Sequence, residues 1–172
     1  NPYGPAAGVT IPFNEYSFKP TNQIQVKCLK VITGEVANYL ASKENSNNAV
    51  SSSNQEWLFL EMELTHVSSS EGEDSVLAAS DIIYYEGSFY KPDGSAIPAS
   101  DNATLGDIYG GYRATTVKLY PGGTSKVVVG LLTEKNVVDI LLKVPYDDGN
   151  KNHWIKCNDS TNVISTVAEL EN

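Results

Sequence analysis

The sequence predicts an all-β protein built as an antiparallel β-sandwich, and three observations carry that expectation. The run "WLFLEMELTHV" alternates apolar and other residues with a strict period of two, the mark of a strand with one face in a core. Further β-rich runs follow at regular spacing, separated by turn residues. No long helical periodicities alternate with them, which sets the chain apart from α/β proteins.

The elements follow in order. In "IQVKCLKVI" the residues Ile24, Val26 and Cys28 share one face of a strand. The segment "TGEVANYLASKENSNNAVSSSNQ" places Val36, Tyr39 and Leu40 at helical spacing and then turns polar, so a short helix or loop insertion is expected near residues 34–55. In the long strand, Leu58, Leu60, Met62 and Leu64 take the core face. Trp57, Phe59, Glu61, Glu63 and Thr65 take the opposite face, expected to run from partly covered to solvent-exposed. "SSSEGEDS" cannot continue a ladder and reads as an exposed loop.

"SDIIYYEGSFY" is rich in β-branched and aromatic residues and reads as a strand, and "KPDGS" after it is a Pro-Asp-Gly turn. "TSKVVVGLLT" and "VVDILLKV" are β-rich, and the short "EKN" between them suits antiparallel neighbours. "NHWIKC" closes the set after the turn "YDDGNKN". The expected organisation is an N-terminal extension at 1–19, one sandwich domain at 20–157, and a tail at 158–172 that is an edge strand or loosely ordered.

Composition narrows the function. At 172 residues the chain suits one domain with a continuous core. Its formal charge is -9 and its 12 basic residues are scattered, which argues against nucleic acid as a partner. No run approaches the roughly 18 to 20 apolar residues that span a bilayer. The opening "NPYGPAAGVTIPF" has neither an initiator Met nor a charged-then-apolar leader, which fits a mature or trimmed chain and allows a removed signal peptide.

Cys28 and Cys157 sit near opposite ends of the chain, both in runs that read as strands. A bond between them would close a loop of roughly 130 residues and stabilise the fold by about 4 to 5 kcal/mol in the chain-entropy account. The alternative is two buried free thiols in a reducing compartment, and the secreted look of the composition favours the disulfide. Neither Cys has a second Cys or a His at ligand spacing, so no zinc site is expected.

The two histidines, His66 and His153, have no nucleophile elbow or carboxylate context nearby, and structural roles are expected for both. No catalytic residue and no cofactor motif is identified. Asp93, Asp101 and Asp107, and Asp147 with Asp148, fall in turn-like stretches without EF-hand spacing. Turn formation explains them better than metal binding. Tyr84, Tyr85, Phe89, Tyr90, Tyr109, Tyr112 and Tyr120 crowd the middle of the chain, where cross-strand pairing is the ordinary role. Tyr109 and Tyr112, in the glycine-rich "DIYGGYR", are the candidates for an exposed binding contact.

Two motifs, "LYPGGTSKVVVGLL" and "SDIIYYEGSFYKPDGS", in the setting of the ordered strands above, resemble a family of immunoglobulin-like domains of unknown function. That family is common in lipoproteins and secreted proteins of Gram-positive bacteria and is similar in fold to the mycobacterial immunoprotective extracellular antigen. The likeness covers roughly residues 20–157; the insertion and the two cysteines depart from it. It implies an immunoglobulin-like sandwich in an extracellular or cell-surface location, acting as a non-enzymatic protein-interaction or spacer module. The partner would be a protein or glycan at the cell surface, with the membrane reached only through a lipid anchor upstream. A carbohydrate-binding module using exposed aromatics is the alternative. In such a bacterial protein the glycosylation-like sequons at Asn102 and Asn158 are chance matches.

Overall fold

The computed structural model describes residues 3–4, 9–13, 22–48, 50, 52–83, 89–97, 117–137, 139–146, 151–159 and 161–170. They form a mostly β architecture of several sheets. One sheet runs in the order β11 (Val163–Ile164), β3 (Asn22–Ile32), β4 (Gln55–Ser69), β8 (Thr124–Glu134), with β2 (Val9–Phe13) also paired to β3. A second runs β1 (Tyr3–Gly4), β10 (Lys151–Lys156), β9 (Leu141–Tyr146), β6 (Phe89–Tyr90). A small ladder joins β5 (Leu77–Ala78) to β7 (Lys118–Leu119).

The two larger sheets share one core. Ile24, Val26, Leu58, Leu60, Met62, Leu64, Val127 and Val129 from the first belong to the same buried cluster as Phe89, Leu142, Val144 and Ile155 from the second. The alternation in β4 therefore places its leucines as expected. Its other face is not graded toward solvent at its start. Helix α1 (Gly34–Glu44) lies over it, so that Trp57 and Phe59 are buried in a second cluster with Val36, Ala37, Ala41, Ile32 and Val128.

The period-two pattern identified the strand but could not show that a neighbouring helix would cover its second face. Glu61 is also buried, at 3% exposure, and its carboxylate meets Lys126 Nζ at 3.2 Å. Beyond it Glu63 and Thr65 are only half-buried.

The helix forms where 3.6-residue spacing was legible, with one change of face. Val36, Ala37 and Ala41 pack inward, whereas Tyr39 is half exposed and lies against Lys43. Glu35 in the first turn and Lys43 in the last suit the helix dipole. Described residues of the polar stretch after the helix are bonded back to it. Trp57 Nε1 donates to the Asn48 carbonyl at 2.7 Å, and Asn48 Nδ2 donates to the Ala41 carbonyl at 3.1 Å, tying the end of the helix to the strand beneath.

Strand β3 contains a correction that its sequence alone conceals. Continuing the face of Ile24, Val26 and Cys28 by twos would bury Lys30. The register instead shifts between Cys28 and Lys30, so that Cys28 pairs with Met62 and Lys30 with Glu61. The extra residue, Leu29, reverses the parity, sends Val31 into the core and leaves Lys30 opposite a carboxylate.

Four further expectations are corrected. Residues 80–82 of "SDIIYY", with Ala79 before them, form a one-turn helix, α2 (Ala79–Ile82), in which Asp81 Oδ2 accepts from the Ala78 N–H at 3.0 Å. This local hydrogen bond outweighs the β propensity of the run. Strands β8 and β9 are not neighbours but lie in different sheets, because the chain crosses the core at Val137 and Ile140. The sheets are not wholly antiparallel: β1 pairs with β10, and β11 with β3, in parallel. Cys157 lies one residue beyond β10, its N–H donating to the Ile140 carbonyl at 2.8 Å.

The tail supplies the edge strand β11, followed by the short helix α3 (Val167–Leu170). The stretch expected as an N-terminal extension contributes β1 and β2.

The Pro-Asp-Gly turn forms as expected, and a second turn precedes β8. In Tyr120–Pro121–Gly122–Gly123 the Gly123 N–H donates to the Tyr120 carbonyl at 2.8 Å and Gly122 has φ +83°, the geometry of a type II turn. A Cβ at Gly123 would lie 2.9 Å from that carbonyl oxygen. In Lys91–Pro92–Asp93–Gly94–Ser95 the Gly94 N–H donates to the Lys91 carbonyl at 2.9 Å, and Gly94 has φ +86°.

Two stability predictions test this packing. Trp57→Ala removes a buried ring and the hydrogen bond to Asn48, and should cost about 3–5 kcal/mol in urea unfolding. Thr133 is buried at the end of β8 with its Oγ1 lacking a partner among the described residues. Thr133→Val should therefore raise stability by about 1 kcal/mol, and a loss in the same assay would contradict this placement.

Candidate functional site

One pole of the fold gathers loops from both large sheets. The end of β3 and the start of α1 bring Val31, Thr33 and Gly34; the start of β4 brings Glu56; the β8–β9 crossover brings Asn136, Val137 and Ile140. Asn158, after β10, and Val163, in β11, complete a cavity of about 210 Å³. A neighbouring depression of about 320 Å³ is lined by Lys91, Pro92, Asp93, Glu134, Asn136 and Val137. The two share Asn136 and Val137, so the crossover forms the ridge between them.

That crossover is held in an uncommon conformation. Asn136 has φ +61° and Asp139 φ +58°, in the left-handed region where Asn and Asp are the best tolerated side chains after Gly. The Asn136 N–H donates to Glu56 Oε1 at 3.2 Å, and the Lys135 N–H to the Asn54 carbonyl at 3.0 Å. The Ile140 N–H donates to Asn158 Oδ1 at 2.7 Å, and Lys156 Nζ lies 3.2 Å from Asp139 Oδ1. Lys91 pairs with Glu134 beside the second depression. The loop is thus fixed by the Glu56, Lys156 and Asn158 side chains and the Asn54 carbonyl, which come from two segments distant in sequence.

Charge at this pole follows the whole chain. Hydrogen bonds from the Ser95 hydroxyl and Ser95 N–H, with Lys91 adding, hold the Asp93 carboxyl below the usual carboxylate range. Thr161, through its hydroxyl and its N–H, does the same for Asp159. Both groups are exposed carboxylates that stay ionised well below neutral pH. The lining therefore combines an apolar floor with backbone-fixed amides and an acidic rim. It offers recognition by shape and polarity, with no nucleophile held against a base among the lining residues.

Of the residues singled out from sequence, Asp93 lines the second depression. Tyr109 and Tyr112 fall outside the described residues, as do Tyr84, Tyr85, Asp101, Asp107, Asp147 and Asp148. His66 is buried at the opposite end of β4, with Nδ1 3.1 Å from the Leu119 carbonyl and Nε2 3.0 Å from Asn22 Oδ1. Its backbone is bonded to Gly122 and Gly123, so it anchors the Pro-Gly turn. Burial pulls the His153 imidazole below its ordinary value. Among the described residues no group of three or more His, Cys, Asp or Glu is placed to hold a metal ion.

The aromatic pairs differ from a flat sugar platform. Trp57 and Phe59 are stacked at 11° with centroids 5.9 Å apart, but both are buried under α1. Tyr90 and Trp154 meet edge-on at 83°, half-buried, with Lys143 Nζ bonded to Tyr90 Oη at 2.9 Å.

Cys28 and Cys157 are brought together in the shared core as unbonded thiols. A hydrogen bond with Cys28, then burial, pushes the Cys157 thiol well above its usual range. Sequence reasoning identified the turn that carries Asp93 but not the pole to which it belongs. The other local signal is the pair of turn-prone residues Asn136 and Asp139 flanking "VV", and neither signal shows which loops will meet.

No protein-family model matches the chain, and no curated protein or solved structure is significantly similar to it.

The left-handed conformation gives the loop a direct test. Asn136→Val should lower stability by about 1–2 kcal/mol, the cost of that backbone region for a β-branched residue, while Asn136→Gly should leave it close to wild type. Equal effects of the two substitutions in urea unfolding would remove the strain argument.

Proposed function

We propose that this chain is a non-enzymatic recognition module of immunoglobulin-like sandwich architecture, working outside the cell or at its surface, whose contact surface is the pole around Asn136 and Val137. The observation that carries the reading is the pair of adjoining depressions, which share those two residues and are lined by loops of both sheets. Loops presented at one end of a rigid β framework are a common binding arrangement. The first depression is smaller than the roughly 300–1,000 Å³ typical of small-molecule pockets, which favours side chains of a protein partner as occupants.

The immunoglobulin-like part of the proposal concerns layers rather than strand order. Two sheets face each other over one core, β9 and β10 form a hairpin, and an early strand lies parallel to the last of that pair. In the immunoglobulin constant order the strands of one sheet run A, B, E, D, so the second and third strands in chain order part company. Here β3 and β4 stay side by side. The motifs quoted for the family resemblance form the turns it implies, and they support location at the cell surface only through that resemblance.

The partner's expected character follows from charge. The chain carries a formal charge of -9, and Glu56, Asp93 and Asp159 stand at or near the pole without a lysine within ion-pair distance among the contacts described. A partner segment with basic residues is complementary. The half-buried, edge-on geometry of Tyr90 and Trp154 does not favour the carbohydrate reading.

Selection of a phage-displayed random peptide library on the immobilised protein, beside a glycan array, tests the proposal. Peptides enriched in Lys and Arg should emerge and lose at least tenfold in affinity on a Glu56→Lys/Asp93→Lys double variant whose circular dichroism is unchanged. Peptides that bind wild type and variant equally would place the contact elsewhere. Glycan binding without peptide selection would move the assignment to a carbohydrate-binding module.

A further inference from the structure

The two cysteines meet where the two sheets face each other. Cys28 belongs to β3 and Cys157 follows β10, so they come from opposite sheets and enter one buried cluster. Cys157 is fully buried and Cys28 nearly so. Each thiol sits 3.8 Å from a nearby carbonyl oxygen, Cys28 Sγ from that of Lys30 and Cys157 Sγ from that of Ile155.

The backbones are brought together independently of the sulfurs. The Asn162 side-chain amide donates to the Cys157 carbonyl at 2.8 Å and to the Cys28 carbonyl at 3.5 Å, so one group bridges both main chains. The Cys157 N–H is held by the Ile140 carbonyl at 2.8 Å. Cys28 is the last inward residue before the β3 bulge, sharing its face with Ile24 and Val26. Both side chains enter the same buried cluster from backbones that one amide ties together.

The surroundings rule out the usual work of a reactive cysteine. A nucleophilic or metal-binding thiol needs a stabilised thiolate, favoured by cationic neighbours and access to solvent. Here the neighbours are apolar, and the Cys28 side chain together with burial disfavours ionisation of Cys157. A pair of sulfurs inside one apolar core is best suited to becoming one apolar group.

We infer that Cys28 and Cys157 form an inter-sheet disulfide, closed during folding by exchange with a low-molecular-weight disulfide. One cysteine loses its proton to solvent, and the thiolate attacks a sulfur of the small disulfide. This forms a mixed disulfide and expels one small thiolate. The second cysteine, likewise deprotonated, attacks the protein sulfur of that mixed disulfide and expels the second small thiolate. The two cysteines lose two protons and two electrons, and the small disulfide, having taken up the electrons, leaves as two thiols once protonated. Closure belongs to folding because the packed thiols are shielded from reagent. The bond ties two distant parts of the chain across the core and constrains the unfolded state. It stands apart from the identity of any partner at the pole.

The test uses the wild-type chain, reduced and denatured, then refolded in a reduced and oxidised glutathione mixture. The product is alkylated with iodoacetamide in denaturant without reductant, weighed intact, and mapped as unreduced peptides. The expected result is no alkyl group added, a peptide pair linking Cys28 to Cys157, and a urea midpoint above that of the same chain after reduction. Two alkyl groups, stable glutathione adducts as the main product, or an oxidised form no more resistant to urea than the reduced one would overturn the inference.

Discussion

Trp57 and Phe59 lie stacked between a sheet and a helix, and that sandwiching is the constraint on which much of the fold depends. Strand β4 carries them on one face and Leu58, Leu60, Met62 and Leu64 on the other, so its first half is buried on both sides. A strand in that position must be paired along both edges and covered on both faces. Strands β3 and β8 supply the edges, the second large sheet supplies one cover, and α1 supplies the other. The Trp57 indole adds direction to this apolar packing, because its N–H reaches the Asn48 carbonyl and so determines where the chain leaves the helix.

Past the helix, the same strand face changes chemistry without changing geometry. Glu61 is still buried but finds Lys126, while Lys30 is placed opposite it by the bulge in β3. A charge this deep is tolerable only with a partner, since desolvation of a lone carboxylate outweighs what the neighbouring apolar contacts contribute. The bulge is therefore tied to the charges as well as to the core: a single extra residue keeps Lys30 out of the hydrophobic layer and puts Val31 into it. It also lets β3 continue to Ile32, where β11 pairs with it and the polar end of the molecule begins.

The pole and the cysteine pair both arise from chain crossings between the sheets. The crossover from β8 to β9 passes through Val137 and Ile140, whose side chains belong to the core, while Asn136 and Asp139 turn the backbone around them. The crossing after β10 passes through Cys157, Asn158 and Asn162, which bond to Ile140 and to Cys28. The depressions at the surface and the buried cysteine pair are thus outer and inner aspects of the same junction. A rigid rim built in this way presents its polar groups at little further ordering cost, which is what a binding surface requires.

What the sequence determined by itself is local. Period-two alternation identified β4 and its core face, Pro-Asp-Gly identified a turn, and 3.6-residue spacing found α1, because each of these rests on contacts within a few residues. Tertiary structure decided what depends on partners distant in sequence. It buried the second face of β4 under α1, moved β8 and β9 into different sheets, made two strand pairings parallel, and brought Cys28 within reach of Cys157. It also decided that Asn136 should stand at a meeting point of five chain segments. None of these has a local signature, since pairing and layering are selected by the packing energy of the whole core, and a residue's own neighbours in sequence carry almost none of that information.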